Sequence, residues 1–214
     1  MYTLFWAPGT AAMAPHAALE EIGAPHKLVK VDLKSGEHRK PEYLKLNPKG
    51  RVPVLVGDGG AFTESAAILM HLADCHPEAK LAPKAGTPER GRYYQWLLYL
   101  TNTVQPAIID YFHPDWTFED PTHQAALKAS AERRVGAMFD YIDAELAKGD
   151  GPYLLGKRYF ACDLFLAMLT RWTRYFARPA YQCPNVKRLT DLVKERPAMQ
   201  RMMAAQGITH VEKA

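Results

Sequence analysis

Residues 47–65, NPKGRVPVLVGDGGAFTES, constrain what this chain can fold into more than any other stretch. They read as a turn, a proline-led strand opening at Arg51-Val52-Pro53, a tight hairpin, and a second strand that runs into a helix. Proline brings no N–H to a ladder, so Pro53 belongs at the first residue of a strand or at a sheet edge. The bond before it is also the one realistic place for a cis peptide. A cis Val52–Pro53 bond would turn the Val52 N–H and C=O outward, free to pair with an extended peptide. Asp58-Gly59-Gly60 is hairpin chemistry. Thr63-Glu64-Ser65 precedes the apolar run AAILMHLA, so Glu64 and Ser65 stand at a helix N-terminus. Backbone N–H groups and the helix dipole favour a carboxylate there. A peptide-pairing edge beside an anion site describes a receptor for a small acidic peptide.

The rest of the chain supplies a frame for that receptor. Residues 2–6 read as a strand, 12–22 as a helix stopped by Gly23, 28–31 as a second strand, and Pro41–Leu44 as a short helical turn. Over roughly the first 75 residues this order, β-α-β-α-β-β-α, is a thioredoxin-like α/β half. Residues 76–88 lack periodicity and carry the linker, placed at 77–87 between a domain 1–76 and an all-helical domain 88–214. In that second domain one long amphipathic helix is expected over 89–111 and another over 122–148. The apolar stripe of the latter runs Val135, Phe139, Ile142, Leu146. Residues 163–176 are apolar on most sides and read as a central buried helix.

Two motifs carry a resemblance to a family. Asn47, Pro48, Gly50, Val52, Pro53 and Leu55 match an N-P-x-G-x-V-P-x-L strand entry, and Glu64-Ser65 matches an E-S pair opening the third helix. Together, at this spacing, they resemble the glutathione-binding half of the cytosolic glutathione transferases. The resemblance returns at residues 156–163, where the family carries a Ser or Thr three residues before an Asp. Here Phe160 takes the first place and Asp163 the second, so half of a capping box is missing, a loss of about 0.5–2 kcal/mol. The resemblance implies a thioredoxin-like domain followed by an all-helical one, a homodimer, and a thiolate of glutathione that attacks a small electrophile. A detoxifying transferase is the leading expectation. A non-catalytic interaction protein on the same fold and a glutathione-dependent lyase or peroxidase are the alternatives.

Residue roles follow from the same resemblance. Glu64 would pair with the peptide's amino group, Ser65 with its γ-glutamyl carboxylate, and Val52 beside Pro53 with its backbone. His38, Arg39 and Arg51 inherit the theta- and phi-class role of holding the glycine carboxylate. Taken singly, each of the loop residues is better explained as a solvated charge; as a group facing Arg51 they fit a carboxylate clamp. Bacterial beta-class relatives carry a Cys where this chain has Ala11, so mixed-disulfide chemistry is not expected. Delta-class relatives place a catalytic Ser close by, and the nearest hydroxyl here is Thr10. Lowering a thiol pKa by two units takes about 2.7 kcal/mol, and one charge-assisted hydrogen bond is worth about 1.5–3 kcal/mol. A single hydroxyl therefore suffices. The other reading of Thr10 is a helix cap, with backbone N–H groups of the loop holding the thiolate. Tyr111, Phe112 and Trp116 read either as core or as the lining of a second-substrate pocket.

Composition removes other classes. The net charge of +4 falls short of a nucleic-acid footprint. Arg171, Arg174 and Arg178, interleaved with aromatics, read as a solvated helix face. No apolar run approaches the roughly 18 residues of a membrane span, and the N-terminus does not read as a signal peptide. The three cysteines are an odd number without a C-x-x-C, which points to a reducing compartment, the cytoplasm. His71, Cys75 and His76 include an i, i+4 pair of ligand type but lack a fourth group, so no metal is expected.

Overall fold

The computed structural model describes residues 1–208, and the fold class is the one read from the sequence. The chain divides into two units. One holds Met1–Ala82 together with the segment that begins at Glu195, and the other runs Pro83–Lys194.

The first unit is built on a four-stranded sheet in the order β2-β1-β3-β4, with β1 at Tyr2–Trp6, β2 at His26–Lys30, β3 at Val54–Gly57 and β4 at Gly60–Phe62. β1 runs parallel to β2 and antiparallel to β3. Register sets the two faces: Leu4 opposes Leu55, while Phe5 opposes Val54. The Phe5 face is covered by Tyr43 of α2, Pro41–Leu44, whose ring meets Phe5 edge-on at 6.0 Å in a cluster with Val31, Val54 and Val52. α1, Met13–Ile22, crosses from β1 to β2 and ends on Gly23 at φ 68°. Pro15 falls in its first turn, where its missing N–H costs nothing. α3 is Ser65–Cys75 and packs on α1. Expected at Arg51, β3 begins instead at Val54, because Pro53 donates no ladder bond; the Val52–Pro53 peptide is cis.

The second unit holds α4 (Pro88–Tyr99), α5 (Gln105–Phe112), α6 (Pro121–Lys148), α7 (Ala161–Trp172) and α8 (Pro184–Lys194). The single helix expected over 89–111 is split. Leu100–Val104 winds as a wide π turn, closed by the Gln105 N–H on the Leu100 carbonyl. Pro106 is the cause: it has no N–H for an i→i−4 bond, and the ladder widens ahead of it. α7 is buried along nearly its whole length and is the axis of the unit. The Val135, Phe139, Ile142 and Leu146 stripe of α6 is buried as its spacing predicts.

Half of the α7 cap is missing from the sequence, yet the helix start is well held. Phe160 is fully buried and has no acceptor to offer, but the Asp163 carboxylate accepts from the Phe160 N–H at 2.8 Å and the Leu154 N–H at 2.9 Å. The last helix is α9 at Pro197–Gln206. It packs on α1 within the first unit, where Arg196 forks onto Glu21 at 2.5 and 2.9 Å and Arg201 onto Glu20.

Candidate functional site

The turn before β3 is built by Asn47 and Tyr43. Asn47, 1% exposed, donates its side-chain amide to the Arg51 carbonyl at 2.8 Å and accepts from the Lys49 N–H at 3.1 Å. The Tyr43 hydroxyl donates to the same Arg51 carbonyl at 2.7 Å, and burial pushes its pKa up to about 12. The Arg51 carbonyl is thus held twice. Val52 follows it, packed by its side chain on the Tyr43 cluster, with its backbone outside the ladder formed by β1 and β3.

Gly50 shows why that motif needs a glycine. It sits at φ +58°, and a Cβ there would meet the Arg39 guanidinium and the His38 carbonyl at 3.0 Å. The same contact draws the basic loop onto the turn. His38 and Arg39 lie in a single 3₁₀ turn, Glu37–Arg39, beside Arg51. Partial burial, and then the guanidinium charges of Arg39 and Arg51, hold the His38 imidazole below its ordinary pKa. Its Nδ1 is buried without a hydrogen-bond partner. The three residues assigned to carboxylate binding therefore stand together, with the positive charge carried by the two guanidinium groups.

Glu64 and Ser65 open α3. Glu64 adopts φ 66°, ψ 112°, a conformation that costs a non-glycine residue about 1–3 kcal/mol and gathers at ligand sites. Ser65 is buried at the first helical position, beneath the free N–H groups of the first turn. The Glu64 carboxylate is exposed and paired with Lys49, Nζ to Oε1 2.5 Å, while the same ammonium reaches the Thr63 hydroxyl at 3.3 Å. Lys49 is absent from the sequence reading. It occupies the unspecified place of the N-P-x-G motif, and only the fold sets it opposite Glu64.

Thr10 sits in the loop between β1 and α1. Its hydroxyl donates to the Ala7 carbonyl at 2.7 Å and accepts from the Ala12 N–H at 3.3 Å. The group named from sequence as thiolate donor is thus engaged within the loop, while α1 takes Ala12 as its N-cap with no side-chain cap bond. Gly9, at φ 69°, gives its N–H to Gln206 Oε1 of α9 at 3.4 Å. Gln206 is also missing from the sequence reading, since nothing local ties residue 206 to residue 9.

The remaining assignments lie in the second unit. Tyr111 and Phe112 pack against Phe176, with ring centroids at 4.0 and 6.4 Å, and the Tyr111 hydroxyl donates to the Tyr175 carbonyl at 3.1 Å. Trp116 stands apart from them, half-exposed and stacked on His113 at 4.0 Å. His71 and Cys75 are neighbours at 3.7–3.8 Å, while His76 turns away to the Tyr2 hydroxyl at 3.0 Å. No helix among the described residues is long and apolar enough to cross a membrane.

Comparison with known proteins identifies the family. The sequence model of the glutathione S-transferase N-terminal domain matches residues 1–74, and that of the C-terminal domain matches residues 109–206. Glutathione S-transferase GstA of Escherichia coli O157:H7 is 28% identical over 207 residues, 96% of this chain and 98% of its own. A solved glutathione transferase of Methylococcus capsulatus is 35% identical, with a TM-score of 0.84 over 97% of this chain and all of that one. A transferase homologue from Sulfitobacter, solved with bound glutathione, superposes with a TM-score of 0.88 at 26% identity, covering 97% and 99% of the two chains. The chain belongs to the glutathione S-transferase family.

Proposed function

We propose that this protein is a glutathione transferase that presents the thiolate of reduced glutathione to a small electrophile. The observation that carries the reading is the start of α3: a strained Glu64, a buried Ser65 and unpaired N–H groups, next to the Val52 backbone that the sheet leaves unused. Ser65 and the helix start take the γ-glutamyl carboxylate, and Glu64 exchanges Lys49 for the peptide's amino group. Val52, ahead of Pro53, pairs with the peptide backbone, and His38, Arg39 and Arg51 take the glycine carboxylate. Ala11 stands where beta-class relatives carry cysteine, so the chemistry is conjugation of theta, phi or delta type rather than mixed-disulfide exchange. The Ala11 N–H, free in the loop, is the resident donor to the thiolate, and Thr10 adds its hydroxyl only by leaving the Ala7 carbonyl. Tyr111, Phe112 and Trp116 remain the residues proposed for the apolar body of the second substrate. The family fold supports a cytoplasmic homodimer acting in detoxification.

Retention on immobilised glutathione tests the reading. Wild-type protein should bind and elute with free glutathione, while Glu64→Ala and Ser65→Ala should pass through with unchanged circular dichroism. Wild-type protein in the flow-through would move the assignment to a non-catalytic interaction protein.

A further inference from the structure

His16 is fully buried in α1, and its Nε2 has no hydrogen-bond partner. One helical turn on, Glu20 brings Oε1 to 3.7 Å from that nitrogen. His26, the first residue of β2, brings its own Nε2 to 3.5 Å from the same oxygen. All three ligand-type atoms lie within 4.8 Å of one another. We propose that His16, Glu20 and His26 form a binding site for a divalent cation of zinc type.

The donor set suits such an ion. Two imidazoles and one carboxylate are ligands of borderline metals, and bonds of about 2.0–2.1 Å at tetrahedral angles place ligand atoms roughly 3.3–3.4 Å apart. The two distances to Glu20 need to close by only tenths of an ångström; the two imidazoles must draw closer together. The surrounding contacts orient the donors as outer-shell partners do. His26 gives Nδ1 to the Ala24 carbonyl at 2.8 Å, which fixes the proton there and leaves Nε2 with its lone pair. Glu20 is held through its other oxygen by Arg201 at 2.6 Å, so Oε1 faces the rings. Burial above all, with a smaller contribution from His26 and against the pull of the Glu20 carboxylate, lowers the His16 pKa to about 4.

His16 needs one adjustment. Its Nδ1 meets Gln206 Nε2 at 3.1 Å, and a metal on Nε2 would leave the ring proton on Nδ1. Gln206 would then present its amide oxygen to the ring, a half-turn between two ends of nearly equal shape. Among the described residues, the bond given up is the long one from Gly9. His26 and Glu20 are partly exposed, with side chains at 15% and 18%, so an ion has a way in and a water can complete the shell.

The test uses the full-length chain with Cys75→Ser, because exposed Cys75 beside His71 offers zinc a competing place. After chelator treatment, zinc(II) is titrated against a chromophoric zinc indicator. One equivalent per chain should bind, and the melting temperature should rise with zinc. His26→Gln and Glu20→Gln, each with circular dichroism like the parent, should weaken binding at least tenfold and lose the thermal shift. Both substitutions are at partly exposed positions, so the outcome does not depend on replacing buried His16. No zinc uptake by the Cys75→Ser chain, or uptake undiminished in both variants, would overturn the site.

Discussion

His38 has two guanidinium groups for neighbours and no partner for its buried Nδ1, and a bound carboxylate would change its balance. In the free protein Arg39 and Arg51 help hold its pKa down, so folding favours the neutral ring and that contribution fades as pH falls through the depressed value. A carboxylate among these residues offsets the guanidinium charge and raises the His38 pKa. Glutathione binding should then take up protons, and Kd should fall as pH drops from about 7.5 to 5.5. Calorimetry in buffers of different ionisation heat reads the uptake, and His38→Asn should remove it. Arg51→Ala should raise KM for glutathione by about tenfold, some 1.4 kcal/mol of uniform binding, with kcat little changed. A loss of kcat at constant KM would put Arg51 at the thiolate instead. For Thr10, alanine should raise the pKa of the bound thiol by less than about one unit, because the Ala11 N–H remains. Ultraviolet thiolate absorbance of the binary complex reports this, and a shift of two units would make the hydroxyl the principal donor.

Among the elements, legibility followed the range of the forces involved. The strand β1, the α1 stop at Gly23 and the stripe of α6 are written in local periodicity and caps, and the structure repeats them. The π turn at Leu100–Val104 was foreshadowed only by Pro106, a residue tolerable near any helix start. The site divides likewise. Asn47, Gly50, Glu64 and Ser65 stand in contiguous motifs, whereas Lys49 and Gln206 acquire partners from distant turns and helices that no spacing announces. At α7 the missing hydroxyl was visible and its compensation was not: Asp163 draws in the Leu154 N–H from nine residues upstream. Asp163→Ala should strand two buried or half-buried N–H groups, at about 1–3 kcal/mol each. At about 2–4 °C per kcal/mol the melting temperature should fall by roughly 4–24 °C. A drop below about 2 °C would show that solvent or a local shift satisfies both donors.

At the scale of the whole molecule, the first unit is made from both ends of the described chain. The pair that ties them is nearly shielded: Glu21 is 12% exposed and Arg196 33%. A double-mutant cycle of Glu21→Gln and Arg196→Ala should therefore give a coupling of about 1–2 kcal/mol, above the roughly 0.2–1 kcal/mol of exposed pairs. Coupling near zero would mean that α9 is held by its apolar face alone. The placement of α9 also sets a timetable. A ribosome delivers α1 early and α9 late, with the entire helical unit synthesised between them. At about 5–20 residues per second, the nascent thioredoxin-like unit waits on the order of ten seconds with the face that α9 covers still open to water. The part of this protein that is made first is the last to be finished.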